Sequence, residues 1–491
     1  MQTELVWLSY IDGEFVRSGD TQPVLSPYRQ TAVANAIWVG RAEMDRALRS
    51  AVRAHAWYSK TDSGFRARLL SMIVDGIEAR RKEFVEAIIL EAGKPRLLAE
   101  TEVTRALTTF RVSRDEALRW PSRVVETELA GDPAASHYTN ARSRFFPKGV
   151  VLGITPFNFP LNLVAHKVGP ALASGNAIVI KAAPQTPGGA TLLAQVFQEV
   201  SRSILHESPE LSSVLQVVHC SNEVASTAVS DARVAVLSFT GSAEVGWKLR
   251  DQAREKHVVL ELGGNAASIV LQGADLKRAA ERLTLSGYGY AGQTCISVQR
   301  VYVDDSIFEN FVAGFARSVA ALSVGDPEDA KTIVGPVIDR KAKDRIESWI
   351  KAARDNGAEV LFQGKAPSHP LFIAPVLLTG VSRDLPLVQE EVFGPVVVIE
   401  RVPSCRAAID RVNDSKYGLQ ASLFSDPSAH DLIEEAFAGL EVGGLIVNDS
   451  PSFRSEAMPY GGIKGSGLGR EGIRFAMEEF SELRTRVDFQ G

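Results

Sequence analysis

Three cysteines in 491 residues are too few for a disulfide framework and odd in number, and Cys220, Cys295 and Cys405 lie too far apart for a metal knuckle. Reduced thiols are expected. The eight histidines show no HExxH and no paired His/Cys spacing, so no metal site is expected. Nowhere does an apolar run reach the length that spans a bilayer, and the start, MQTELVWLSYIDGEF, carries no basic segment ahead of an apolar one. A soluble protein of the cytoplasm, with no membrane partner, is expected. Positive charge is not in excess either: 54 Lys plus Arg against 59 Asp plus Glu leave a formal charge of -5, which supplies no global field for nucleic acid. Repeats and low-complexity tracts are missing too.

What is present is an ordinary globular composition, 45% hydrophobic and 23% charged, on a chain long enough for two or three domains. From Ala42 to Trp120 apolar residues recur at three and four, predicting helices that stop at Gly93 with Pro95 and again at Pro121. The stretch VVETELAGDPAASHYTNARSRFFP alternates polar and apolar residues about a Gly-Asp-Pro turn and predicts a two-strand excursion. Short apolar runs then alternate with helical segments: VVLGIT, AIVIK, VLQVVH and VAVLSF form a first series, and a second begins at Val258. That alternation predicts an α/β protein with doubly wound parallel sheets. The tail EEFSELRTRVDF predicts a helix end and a final edge strand.

Five stretches could carry chemistry. In LSFTGSAEVG a strand ends at Gly241-Ser242 and a helix begins, so free backbone N–H groups would face an anion such as a pyrophosphate. Lys181 ends the strand AIVIK, where open sheets bind ligands, or is a solvated strand-end lysine. The turn TPFNFP offers Asn158 as an oxyanion donor or as an Asx-turn. VVLELGGN places Glu261 at the end of an apolar run, where burial would raise its pKa toward that of a general base; a surface carboxylate is the competing reading. YAGQTCISVQR puts Cys295 after Gly-Gln-Thr, as a nucleophile or a small buried hydrophobe.

Taken in order, these stretches, with EEVFGP and PYGGIKGSGLGREG, resemble the NAD(P)-dependent aldehyde dehydrogenase superfamily over nearly the full chain. The nearest branch is that of phosphonoacetaldehyde, non-phosphorylating glyceraldehyde-3-phosphate and lactaldehyde dehydrogenases. The resemblance implies the aldehyde dehydrogenase fold: a Rossmann-like doubly wound cofactor domain (1–122 and 148–258), an α/β catalytic domain (259–458), a connecting segment (459–479), and a small β oligomerisation arm (123–147 and 480–491). A homodimer or homotetramer is implied.

It also implies roles. Cys295 attacks the aldehyde, Asn158 and the Cys295 N–H hold the oxyanion, and Glu261 activates the water that hydrolyses the thioester to a free acid. NAD or NADP would have its pyrophosphate at Gly241 and Ser242, its adenosine ribose on Lys181 and its nicotinamide ribose on Glu391, with Phe393 nearby. Thr155, Pro156, Phe157 and Leu262 would complete that lining. Strictly NAD-using relatives often carry a glutamate three residues after the lysine; here Pro184 removes its charge, which permits NADP.

For the substrate, the resemblance points to Arg105, in an EVxR pattern, and Arg454 as a clamp for a small anionic aldehyde bearing a phosphonate, phosphate, sulfonate or carboxylate. Phe159 and Thr294 are departures, since some anion-binding relatives have a polar ring and an arginine there. Arg105 paired with a carboxylate such as Glu102, and Arg454 as a loop surface charge, would instead suit a small neutral aldehyde such as lactaldehyde. His166 and Lys167 read as structural. A non-catalytic structural relative is the alternative of a different class, and the presence of Cys295, Glu261 and Asn158 speaks against it.

Overall fold

The computed structural model describes residues 5–124, 138–204 and 208–489. Its first sheet has eight strands in the order 467–468, 257–261, 234–240, 150–154, 177–181, 215–218, 9–11, 14–16. The five strands from 257–261 to 215–218 run parallel, and antiparallel strands close both edges. All five residues of Val150–Ile154 and of Ala177–Lys181 are buried, as expected for strands covered by helices on both faces. Strand order reverses beside Val150–Ile154, and such switch points open a crevice at the carboxyl ends of the strands. TPFNFP and TGS both leave the sheet there.

A second sheet of seven strands, 359–363, 376–379, 396–402, 300–304, 267–270, 420–424 and 444–447, is parallel except at its first pair. Two corrections to the expected boundaries follow. The strand His257–Glu261, expected to open the second series, hydrogen-bonds to Val234–Thr240 in the first sheet. The segment 459–479 does more than connect: Gly467–Leu468 pairs with Leu260 and Glu261, and the helix Ile473–Glu479 packs on the helix Asn162–Ser174.

Four helices, Arg41–Tyr58, Ser63–Ala79, Arg81–Ala92 and Arg96–Leu118, fill the expected helical opening. Gly93 ends the third in the left-handed region at φ 61, a conformation glycine adopts without a Cβ penalty. The helix Asn162–Ser174 is buried on every side, and its closest neighbour comes within reach because Gly169 has no Cβ: one built there would lie 2.4 Å from Ser113 Oγ. The arm is a three-stranded sheet, Ser122–Val124 and Ser481–Phe489 both pairing with Tyr138–Pro147; the Gly-Asp-Pro turn lies outside the described residues. Sequence reading missed the N-terminal hairpin of Ser9–Ile11 and Glu14–Val16, turned by Asp12-Gly13 at φ 57 and 82. Asp-Gly is the signal that would have found it. It also missed the short helix Asn222–Ser230, capped by Ser221. Among the described residues no helix is long and apolar enough to cross a membrane.

Candidate active site

Cys295 owes its position to an unusual turn. Tyr290, Ala291 and Gly292 have φ of 53, 53 and 70 in succession, the left-handed region that side chains other than glycine's occupy at a cost. Gly292 has no substitute, because a Cβ there would sit 2.2 Å from the Gly394 carbonyl. Two outside contacts hold the turn: the Tyr290 hydroxyl donates to the Ala92 carbonyl at 3.2 Å, and the buried Lys94 ammonium lies 4.6 Å from the Tyr290 ring centre and 3.7 Å from that of Phe159. Lys94 also pairs with Glu102, whose other oxygen accepts from the Leu161 and Asn162 N–H groups. Thus Glu102 is engaged with Lys94 and the start of the 162–174 helix, and it is not the partner of Arg105.

Asn158 is buried and donates its amide to the Gln293 carbonyl at 3.0 Å, which joins the turn after the first sheet to the cysteine loop. Glu261 ends its strand fully buried, and among the described residues neither of its carboxylate oxygens has a hydrogen-bond partner. Burial, reinforced by the nearby Glu471 charge, raises its pKa well above the ordinary carboxylate range, against the pull of Arg454, Lys167 and Arg470. A carboxyl group whose pKa is raised in this way is suited to take up and release a proton as a general base. The two glycines after it bring their neighbours close: a Cβ on Gly263 would displace the Glu391 carboxylate, 2.2 Å away, and one on Gly264 would sit tight against the Cys295 carbonyl at 3.1 Å. Burial pushes the Cys295 thiol up to about 11; the Tyr460 hydroxyl and Arg454 oppose the shift, while Glu391 and Glu261 add to it.

The residues expected around a dinucleotide sit at the switch point. Thr155 is buried and its N–H donates to the Lys181 carbonyl at 3.2 Å; Pro156, Phe157 and Pro184 are half-buried. Lys181 donates to Asn222 Oδ1 at 3.1 Å, and burial lowers its pKa. The Gly241 N–H donates to the Glu261 carbonyl at 3.0 Å, and Ser242 is the exposed N-cap of the helix Ala243–Ala253. Gly246 of that helix has no room for a Cβ against Leu262, 2.3 Å away. Glu391 accepts from the Gly264 N–H at 3.1 Å and is pushed up to about 7 by burial. Phe393, itself at φ 50, meets Phe157 edge to face at 6.0 Å. The Gly241 N–H is thus already engaged, and it is the exposed start of the helix Ala243–Ala253, with a lysine that has a neutral partner and a carboxylate on the far side, that fits a dinucleotide's phosphates and ribose hydroxyls.

A cavity of about 390 Å³ leads to Cys295, and Arg105, Phe159, Thr294 and Arg454 all line it. Neither arginine is a free surface charge. Arg105, its side chain 31% exposed, reaches Glu456 Oε1 through two donors at 3.1 and 3.3 Å. Arg454, only 7% exposed, donates to Glu471 Oε2 at 3.0 Å and covers the Tyr460 ring at 3.9 Å, which corrects the loop-charge alternative. His166 links the two pairs, with Nε2 2.7 Å from Glu456 and Nδ1 3.1 Å from Glu471. Lys167 donates to Ser238 at 2.9 Å and lies 3.8 Å from Glu471. Burial alone would raise both glutamates. Instead His166, Arg454 and a further cation each, Arg105 for Glu456 and Lys167 for Glu471, hold them well below the ordinary range. Sequence reading found neither Glu456, Glu471, Tyr460 nor Arg282, another cavity residue, paired with Asp449.

Residues 15–486 match the model of the aldehyde dehydrogenase family. The chain belongs to that family. A relative, the 3-sulfolactaldehyde dehydrogenase of Priestia megaterium, is 38% identical over 480 residues, 97% of each chain. Among solved structures, aldehyde dehydrogenase 21 of Physcomitrella patens, in complex with the reaction product succinate, superposes with a TM-score of 0.94 at 32% identity over 99% of both chains. A glyceraldehyde-3-phosphate dehydrogenase of Methanocaldococcus jannaschii, complexed with NADP, gives 0.90 at 34% identity over 97% of this chain and all of that one. This aldehyde dehydrogenase therefore oxidises an aldehyde to its carboxylic acid with NAD or NADP, and its fold is the family's α/β fold with TM-scores at or above 0.90.

Proposed function

We propose that this dehydrogenase acts on a small anionic aldehyde, with Cys295 as nucleophile, and the observation that carries the proposal is the cavity joining Cys295 to Arg105 and Arg454. The Cys295 sulfur attacks the carbonyl carbon, and the oxyanion of the thiohemiacetal is held by the Asn158 amide and the Cys295 N–H. The Asn158 amide nitrogen carries two N–H groups, so one can face the oxyanion while the other stays on the Gln293 carbonyl. A bound dinucleotide would supply the hydride acceptor for this step. Glu261 then removes a proton from the water that hydrolyses the Cys295 thioester, a task for which its unbonded, buried carboxyl group is suited. Gly241 and Ser242 hold the pyrophosphate, Lys181 the adenosine ribose and Glu391 the other ribose, with Thr155, Pro156, Phe157, Leu262 and Phe393 packing around them. Pro184 presents no charge against a 2'-phosphate, so both NAD and NADP are accommodated.

Planar guanidinium groups suit phosphonate, sulfonate and carboxylate tails through paired charge-assisted bonds. The relatives named above support this reading: sulfolactaldehyde, succinate and glyceraldehyde 3-phosphate each carry an anionic tail. Arg105 is the better receiver, since it is the more exposed and its only carboxylate contact among the described residues is to one oxygen of Glu456. A small neutral aldehyde such as lactaldehyde is the second reading, favoured by the fact that both arginines already have carboxylate partners.

A screen at 340 nm with anionic and neutral aldehydes, NAD and NADP, and wild type beside Arg105→Ala separates the readings. Anionic aldehydes should show the higher kcat/KM, and the substitution should erase that advantage; equal use of neutral aldehydes with no effect of the substitution would overturn it. We propose further that the chain is a homodimer or homotetramer in the cytoplasm, joined through the arm. Its strand Ser481–Phe489 exposes Leu483 by 50% and Val487 by 47%, and an open apolar edge strand is an aggregation liability that a partner's sheet would cover.

A further inference from the structure

One hydroxyl in the cavity has no part in the chemistry so far. Tyr460 Oη lies 3.1 Å from Cys295 Sγ, and the ring is buried against Cys295, Ile296 and Leu419. Its placement is firm: Tyr460 and Glu471 exchange two backbone hydrogen bonds, of 2.9 and 2.6 Å, and the Arg454 guanidinium carbon lies over the ring, 3.9 Å from its centre. A cation on the ring face draws electron density from the phenol and makes its O–H a stronger donor.

The sulfur has few other sources of help. The charged and titratable groups that act on it are Tyr460, Glu391 from the segment before Phe393, Arg454 from the loop that follows the second sheet, and Glu261 from the first sheet's strand end. Both carboxylates oppose a thiolate, and Arg454 favours it while committed to Glu471. Tyr460 supplies the side-chain hydrogen bond at the sulfur itself.

We propose that Tyr460 is a catalytic residue: its O–H donates to Cys295 Sγ and stabilises the thiolate fraction that attacks the aldehyde. The inference rests on Cys295 being the nucleophile. The thiol proton leaves to water in the cavity, and the phenol keeps its own proton, because burial pushes Tyr460 well above its usual range. A sulfur lone pair then forms the C–S bond while the C=O π pair moves to oxygen. A hydrogen bond to an anion is strong enough to lower the thiol's pKa by about one unit. The tenfold larger thiolate fraction is partly offset by weaker nucleophilicity, leaving a net gain of roughly threefold below the midpoint.

Tyr460→Phe keeps the ring and its contact with Arg454, and removes only the donor. Alkylation by iodoacetamide over a pH series, read at the Cys295 peptide by mass spectrometry so that Cys220 and Cys405 are counted apart, should give a midpoint about one unit higher than wild type. Coincident profiles, with only KM for aldehyde altered, would reduce Tyr460 to a packing residue and overturn the inference. If the Phe variant does not fold by circular dichroism, 3-fluorotyrosine at position 460, a stronger donor, should move the midpoint down, and no movement overturns the inference equally. Oxidation by Cys295→Ala at the wild-type rate would instead sink the reading on which it rests, and the two failures are seen in different variants.

Discussion

Two walls of the active site follow opposite rules; Cys295, Arg105 and Arg454 line the cavity itself, and Glu261, Glu456, His166 and Glu471 lie outside its lining. On the wall that holds Cys295 and Glu261, polar groups are buried and left with little: Glu261 has no hydrogen-bond partner for either oxygen among the described residues, and both groups are pushed toward their neutral forms. On the wall that holds Arg105, Glu456, His166, Glu471 and Arg454, each arginine pairs with a glutamate, His166 contacts both glutamates and Arg454, and both glutamates are held well below the ordinary carboxylate range. Glu261 and Glu471 are neighbours with the same side chain and the same burial, and they differ only in who surrounds them. Paired charge makes a carboxylate inert and permanent; burial without a partner makes it a proton carrier.

The comparison is broken most severely at Cys295. Cys295→Ala should lower aldehyde oxidation by roughly a thousandfold or more, as removal of a nucleophile does elsewhere, while equilibrium binding of NAD or NADP, followed by fluorescence, stays intact. Glu261→Gln should slow turnover by about 100-fold or more and let an acyl adduct on Cys295 build up, visible as added mass; prompt acid release would remove Glu261 from deacylation. Asn158→Ala should cost about 100-fold in kcat with a smaller change in KM, measured in the steady state.

The smallest effect is on stability, and its sign differs between the walls. Glu456 and Glu471 have lowered values in the folded chain, so the stability they contribute is complete above the unfolded value, about 4.3, and is lost as pH falls below it. Glu261 has a raised value, so it takes up a proton on folding, and stability declines as pH rises above that same unfolded value. Thermal midpoints recorded against pH should therefore lose part of their acid-side drop in Glu456→Gln and part of their decline toward alkaline pH in Glu261→Gln.

The reactive wall was legible in the sequence because each group travels with its own local motif: Asn158 in TPFNFP, Glu261 before two glycines, Cys295 after Gly-Gln-Thr. The paired wall was not. Apart from Arg454 and Glu471, 17 positions apart, its contacts join residues 288 to 351 positions apart, and no spacing rule links Arg105 to Glu456 or His166 to Glu471. The same limit explains the strand His257–Glu261: its apolar run was visible, but which sheet it joins depends on a neighbour, Val234–Thr240, that hydrogen-bonds to it in space. The helix Asn222–Ser230 escaped because nine residues give too little periodicity against the apolar runs on either side. Arg454 was read correctly as a cavity residue and incompletely as a charge, since burial and its partner Glu471 are properties of the fold.

The two-residue bridge between Tyr460 and Glu471 has a consequence for how this chain can change. One backbone clip sets a hydroxyl against the nucleophile and a negative charge beside the base, so substitutions at either position will be felt at both. Natural drift or laboratory selection that alters the cavity near Tyr460 should draw compensating changes around Glu471. A library varying the two together will reach sequences that stepwise replacement, testing each alone, would discard.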